Sequence, residues 1–235
     1  MRINIPNQIT LGRLALSVVF FVLLSFVNFA KSSDHETLLS AAFWVFLVAA
    51  LTDVLDGWLA RAWGQVTSFG RVVDPVVDKV IVCGAFIFFA SRHFFDPQSG
   101  ANVTGVAPWM VIVILLRELL VSAIRSFSES AGDSFAANWV GKLKMFVQSA
   151  TVCVVLGVLA WFPVSLAWLR EWMVWATVIV TAASIVAYVG RARRFMLTRE
   201  ALGGTPEEPP PPPDVSRREV KRSPPAAVAA PGARA

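Results

Sequence analysis

Charge is scarce in this chain. Asp, Glu, Lys and Arg make up 16% of its 235 residues, where a soluble domain carries about 25%. With 56% hydrophobic residues and a mean hydropathy of +0.62, that shortfall excludes an ordinary water-soluble domain and gives the composition of a membrane protein. Cysteine is scarcer still: Cys83 and Cys153 are the only two. They fall in separate apolar stretches, which excludes a disulfide framework and argues against a thiolate metal site. Both read as core residues.

What is present is apolar sequence in long runs. Windows of about 20 residues, the length of a membrane-crossing helix, mark spans near Leu14–Phe29, Leu38–Ala60, Val76–Phe95, Val106–Phe127, Val140–Phe162 and Leu166–Tyr188. The sequence therefore predicts an all-α integral membrane protein of six transmembrane helices, with both termini on one side. A basic start before an apolar run can also be a cleaved leader, but Asn7, Thr10 and Arg13 are odd contents for one, and five further spans follow.

The short loops orient the spans. Arg2, Arg13, Arg61, Arg71, Arg117, Arg125, Lys142, Lys144 and the basic run 191–194 fall on one side, against Lys31, Arg92 and Arg170 on the other. The positive-inside rule makes the first side cytoplasmic, here in a cell (inner) membrane. The net charge of +5 then calls for no nucleic acid, and an anionic leaflet or a phosphate-bearing substrate suits it better.

Three regions follow. Residues 1–13 suit a short interfacial helix on the cytoplasmic surface, and 14–195 form the membrane domain. Residues 201–235, with an unbroken Pro209–Pro213, read as a disordered, partly polyproline II tail in the cytoplasm.

Against this apolar background one stretch stands out: LTDVLDGWLARAWGQVTSFGRVVDPVVDKV, Leu51–Val80. Asp53 and Asp56 are three apart and Asp74 and Asp78 four apart, so each pair shares one helical face. An ionised residue at the centre of a span costs about 2.5–3.5 kcal/mol on insertion scales, and clustered carboxylates repel one another. Cations or water must therefore fill the site. Oxygen-only ligands suit Mg²⁺ or Mn²⁺, since His35 and His93 fall on the opposite side. Four carboxylates can hold two such ions about 3.5–4 Å apart, the arrangement that clamps both oxygens in phosphoryl transfer. Gly57, Ala60 and Gly70 leave room for a ligand near the backbone, and Arg61 is matched to a phosphate. The competing view, a solvated loop of Asp–Arg pairs, leaves Val54, Leu55, Trp58, Leu59, Val72, Val73, Val76 and Val77, interleaved at helical spacing, without a purpose.

The stretch reads D-x2-D-G-x2-A-R-x8-G-x3-D-x3-D through Asp53, Asp56, Gly57, Ala60, Arg61, Gly70, Asp74 and Asp78. It resembles the signature of the CDP-alcohol phosphatidyltransferases. The resemblance implies a six-helix membrane fold, commonly a homodimer, with a di-metal centre in a cytoplasm-facing pocket. It implies Asp53, Asp56, Asp74 and Asp78 as metal ligands, with Asp78 also the general base. Asp53, Asp56, Gly57, Ala60, Arg61 and Gly70 would bind the CDP moiety, and Asn7, Thr10 and Arg13 would face the nucleotide.

The signature is silent on the acceptor alcohol. Two further segments, NIPNQITLGR from Asn4 to Arg13 and LLREL…SAIR with NWVGKLK, resemble the glycerol-phosphate branch of the family. That branch joins sn-glycerol 3-phosphate to CDP-diacylglycerol. Met145, where relatives often carry threonine, departs from its pattern. Candidate ligands for the acceptor phosphate are Arg117, Arg125, Lys142, Lys144, Arg191 and Arg194, of which Arg117, inside the apolar fourth span beside Glu118, is best placed. The same chemistry with inositol phosphate, phosphatidylglycerol or serine is the nearest alternative. A divalent-cation transporter is the alternative from another class, and Arg61 beside the ion path argues against it.

Overall fold

The computed structural model describes residues 5–29, 35–63, 68–130 and 139–201, without the side chains of 53–75 and of some other helical residues. The predicted tail at 202–235 lies outside the described residues. Six helices follow one another: α1 (Ile5–Phe26), α2 (His35–Trp63), α3 (Ser68–Phe89), α4 (Pro108–Ser130), α5 (Trp139–Trp161) and α6 (Ala167–Ala201), with a 3-10 turn at Arg92–Phe94. Among the described residues there is no strand, only an isolated bridge between Phe95 and Asn102. The chain divides into two units, Met1–Ala192 and Arg193–Ala235, and of the second only the end of α6 is described.

Each expected span coincides with a helix, but the bounds differ where local chemistry decides. Residues 5–13, expected as a separate interfacial helix, run unbroken into α1. Pro6 is tolerated in a first turn, and Gly12, the one glycine of α1, is accommodated within the helix. The third helix begins at Ser68 and stops at Phe89, short of the expected Phe95. Its end is fixed by side chains that reach back over it: Asn102 Nδ2 and Thr104 Oγ1 donate to the Phe89 carbonyl at 2.8 and 2.9 Å, satisfying an acceptor that a helix end leaves open. Among the described residues three helices carry stretches long and apolar enough to cross a membrane, His35–Thr52, Leu143–Trp161 and Ala167–Gly190. In α1 the apolar run is the shorter Leu11–Phe26, and α3 and α4 are interrupted by Asp74, Asp78 and Lys79 and by Arg117, Glu118 and Arg125.

Burial follows heptad-like seams. Arg13, Ser17, Phe20, Leu24 and Val27 form one buried stripe on α1, and Val174, Thr177, Thr181, Ser184 and Tyr188 form another on α6. This alternating three- and four-residue spacing is the one that keeps a seam facing its neighbour in a helix bundle. Helix α1 packs on α2 and α3, α2 on α5, and α3 also on α4 and α5. Along the seams the chemistry changes. Phe20, Leu24, Phe46, Phe86, Phe89, Ile114 and Leu156 make one apolar core, whereas the opposite ends of the same stripes bury Arg13, Ser17, Lys144 and Ser184. Outward, the molecule exposes Val18, Phe26, Ile112, Leu116, Leu119, Ile179 and Val186. Buried charge with an apolar exterior is the distribution a lipid solvent selects. The protein is an all-α integral membrane protein.

Side-chain hydrogen bonds tie α6 to the bundle. Thr151 Oγ1 and Thr177 Oγ1 are 2.7 Å apart, Thr151 also donates to the Met173 carbonyl at 3.1 Å, and Gln148 Nε2 donates to Thr181 Oγ1 at 3.4 Å. Such bonds between membrane helices contribute about 0.6 kcal/mol each. On the loop between α3 and α4, Asp96 accepts from the Gln98 and Ser99 amides and the Ser99 hydroxyl, which holds its carboxyl below the usual range. The turn is closed by Gly100 at φ +64°, a conformation that strains any side chain.

The contact between α1 and α3 sets a packing prediction. A Cβ on Gly84 of α3 would collide with the Phe21 ring of α1, and that ring stacks on Phe88 at 5.8 Å. Gly84→Leu is expected to destabilise the detergent-solubilised protein by about 1–3 kcal/mol through overpacking. A thermal midpoint equal to wild type would show that the Phe21 ring moves freely aside.

Candidate active site

The described helices place the four aspartates in a symmetric register. Helix α2 ends at Trp63 and α3 begins at Ser68. At 1.5 Å per residue, Asp56 and Asp74 therefore stand about 10 Å along their helices from that connection, and Asp53 and Asp78 about 15 Å. Gly57, Ala60 and Arg61 lie on the last turns of α2 and Gly70 on the first turn of α3. The side chains of Asp53, Asp56, Arg61 and Asp74 are outside the described set, as are those of Asn7 and Thr10 in the first turns of α1. Among the described residues no three His, Cys, Asp or Glu side chains stand together.

Asp78, the one signature aspartate with a described side chain, is half-buried. The charged groups acting on it are Arg13, Lys144, Glu118 and Lys79, which come from α1, α5, α4 and α3 itself. Arg13, expected to face the nucleotide, is only 2% exposed. Its carbonyl accepts from Ser17 Oγ at 2.8 Å. The four signature side chains are carboxylates, oxygen-only and hard, and such donors fit Mg²⁺ or Mn²⁺ better than a softer metal.

Of the six basic residues expected at the acceptor phosphate, two converge. Arg117 on α4 and Lys144 on α5 are 5% and 2% exposed, and both bond the same atom, Oε1 of Glu118. Arg117 Nη1 lies 3.0 Å from it, and Lys144 Nζ makes the second ion pair. From α6, Ser184 Oγ accepts from Arg117 Nε at 3.0 Å, and the Tyr188 ring lies 5.4 Å beneath the guanidinium, a cation–π distance. Lys79 donates to Ser122 Oγ, which in turn donates to the Glu118 carbonyl at 2.6 Å. The side chains of Arg125, Lys142, Arg191 and Arg194 are outside the described set. Glu118, Ser184 and Tyr188 were not among the expected site residues. For Glu118 a signal existed, since an acid next to an arginine inside an apolar span needs a partner. For Ser184 and Tyr188 nothing local gave notice.

An apolar all-helical bundle with a half-buried carboxylate on α3, acted on by charged groups from three other helices, fits a membrane-embedded enzyme. Residues 3–189 match the family described as CDP-alcohol phosphatidyltransferase, and the chain belongs to that family. Curated relatives named CDP-diacylglycerol--glycerol-3-phosphate 3-phosphatidyltransferase stand close to it. Those of Salmonella paratyphi A and Escherichia coli K12 are each 32% identical over 210 residues, 84% of this chain and 99% of their own. The Bacillus subtilis relative of the same name is 35% identical over 160 residues, 65% of this chain and 76% of its own.

Proposed function

We propose that this chain transfers the phosphatidyl group from CDP-diacylglycerol to sn-glycerol 3-phosphate, giving phosphatidylglycerol phosphate and CMP. The observation that carries the reading is the buried Arg117–Glu118–Lys144 cluster, two members of which, Lys144 and Glu118, act on Asp78. It supplies cations for an acceptor that already bears a phosphate, beside the carboxylate that would take the proton. The names of the relatives support the same substrates.

In this mechanism Asp78 accepts the proton of the glycerol 3-phosphate hydroxyl as that oxygen bonds to the lipid-side phosphorus. The bridging P–O bond breaks, and CMP departs as a stable anion that needs no strong general acid. Arg61 holds the diphosphate, and Gly57, Ala60 and Gly70 let it approach the helix backbones. Asn7 and Thr10 face the nucleotide. Arg117 and Lys144, with Arg125, Lys142, Arg191 and Arg194 nearer the cytoplasmic surface, hold the acceptor phosphate. Two Mg²⁺ or Mn²⁺ ions, held by Asp53, Asp56, Asp74 and Asp78, would supply charge neutralisation at the diphosphate. The domain is 14–195 with six crossings, and it is a homodimer in the inner membrane with both termini and the site cytoplasmic.

The test is CMP release by detergent-purified protein given CDP-diacylglycerol and Mg²⁺ or Mn²⁺. Glycerol 3-phosphate, inositol phosphate, serine and phosphatidylglycerol are offered in separate reactions. Release with glycerol 3-phosphate alone is expected. Release with another acceptor alone would reassign the acceptor, and release with none would overturn the reading.

A further inference from the structure

Glu118 takes no part in the proton transfer above, yet it is the residue on which the two cations converge. Its carboxylate is 7% exposed, and a single oxygen receives both Arg117 and Lys144. Without it, two like charges from different helices would be buried side by side, which is strongly unfavourable. With it, the trio retains one excess positive charge, a surplus that suits an arriving anion.

The guanidinium is also held on its other sides. Ser184 fixes Nε and Tyr188 supports the ring face. A Cβ on Gly141 would sit 4.0 Å from Arg117 Nη2 and 3.2 Å from the Tyr188 hydroxyl, so the glycine keeps that flank clear. The Nε and Nη1 edges are thus committed to protein, while the Nη2 edge borders a residue without a side chain. A planar fork clamped in this way presents its remaining donors in one fixed direction.

We infer that Glu118 is a positioning residue for the acceptor: it locks Arg117 and Lys144 into one preorganised phosphate-binding pair, with Ser184 as the second support of the guanidinium. The inference rests on the proposed reaction and deepens it. Glu118 itself, an anion, touches no phosphate. Its effect is confined to how well the two cations are aimed, so the lipid-nucleotide substrate should not sense its loss.

The experiment compares wild type with Glu118→Gln, Glu118→Asp and Ser184→Ala in steady-state CMP release, varying each substrate in turn. Binding of glycerol 3-phosphate and of inorganic phosphate is measured in parallel by calorimetry on the full chain in detergent. Glu118→Gln is expected to raise the acceptor KM at least tenfold, with the CDP-diacylglycerol KM within twofold of wild type. Glu118→Asp should recover part of that loss, and Ser184→Ala should raise the acceptor KM about threefold. Equal changes in both KM values, or a fall in kcat alone, would mean a structural role and overturn the inference. Should Glu118→Gln not fold, Ser184→Ala decides: an unchanged acceptor KM overturns the inference, and a selective rise supports it. If wild type uses inositol phosphate instead, the acceptor assignment falls and the same KM comparison is made with that acceptor. If wild type releases no CMP at all, the proposed function falls, and the phosphate-binding arm decides: weaker phosphate binding by Ser184→Ala supports the inference, and unchanged binding overturns it.

Discussion

Asp78→Asn is expected to cut turnover by on the order of 10²–10⁴-fold or more, the range lost with a general base, while much of the binding of CDP-diacylglycerol survives. The amide keeps the size of the carboxylate but cannot take a proton from the acceptor hydroxyl. The role proposed for Asp78 is supported by its half-buried position along α3 and by the charged groups that act on it from three other helices. Both arms of the measurement matter. Single-turnover CMP release reads the chemical step, and equilibrium binding of CDP-diacylglycerol reads the pocket. A rate near wild type would remove Asp78 as the base. Loss of binding together with rate would make it chiefly a ligand of the diphosphate site.

The second large effect is expected at Arg117. Arg117→Ala should raise the acceptor KM about 10²-fold, with a much smaller change in the KM for CDP-diacylglycerol. Two losses combine. A donor to the acceptor phosphate disappears, and the Glu118–Lys144 pair loses the partner that Arg117 Nη1 supplies at 3.0 Å. Breaking a buried ion pair costs about 3–5 kcal/mol, so the variant's thermal midpoint must be read beside its kinetics. Arg117→Lys is the informative companion. An ammonium restores the charge but not the fork that reaches Ser184 and Glu118 together, so it should recover stability more than acceptor affinity. Equal effects of Arg117→Ala on both substrates would make the arginine a structural residue.

Much of this protein was legible along the chain because the relevant signals are local. Apolar runs in the sequence marked the position of each described helix, since in lipid the backbone must satisfy its own hydrogen bonds. The aspartate spacing marked two helical faces without any knowledge of how the helices pack. Where α1 begins was less legible: polar residues at 7, 10 and 13 do not interrupt a helix, and Arg13 is 2% exposed. Likewise the end of α3 depends on Asn102 and Thr104, which lie on a later loop.

The choice among the basic residues belongs to a different kind of information. By sequence, only Arg117, inside an apolar span beside an acid, stood out from Arg125, Lys142, Lys144, Arg191 and Arg194. Tertiary packing brings Arg117 and Lys144 to one oxygen of Glu118 and adds Ser184 and Tyr188 from α6. The sequence by itself determined the membrane character, the helical spans and the aspartate signature, because each is written in periodicity or spacing within one element. Only the tertiary structure decided which cations share a carboxylate, because that depends on how the seams of α4, α5 and α6 meet, and no local pattern encodes the meeting of distant helices.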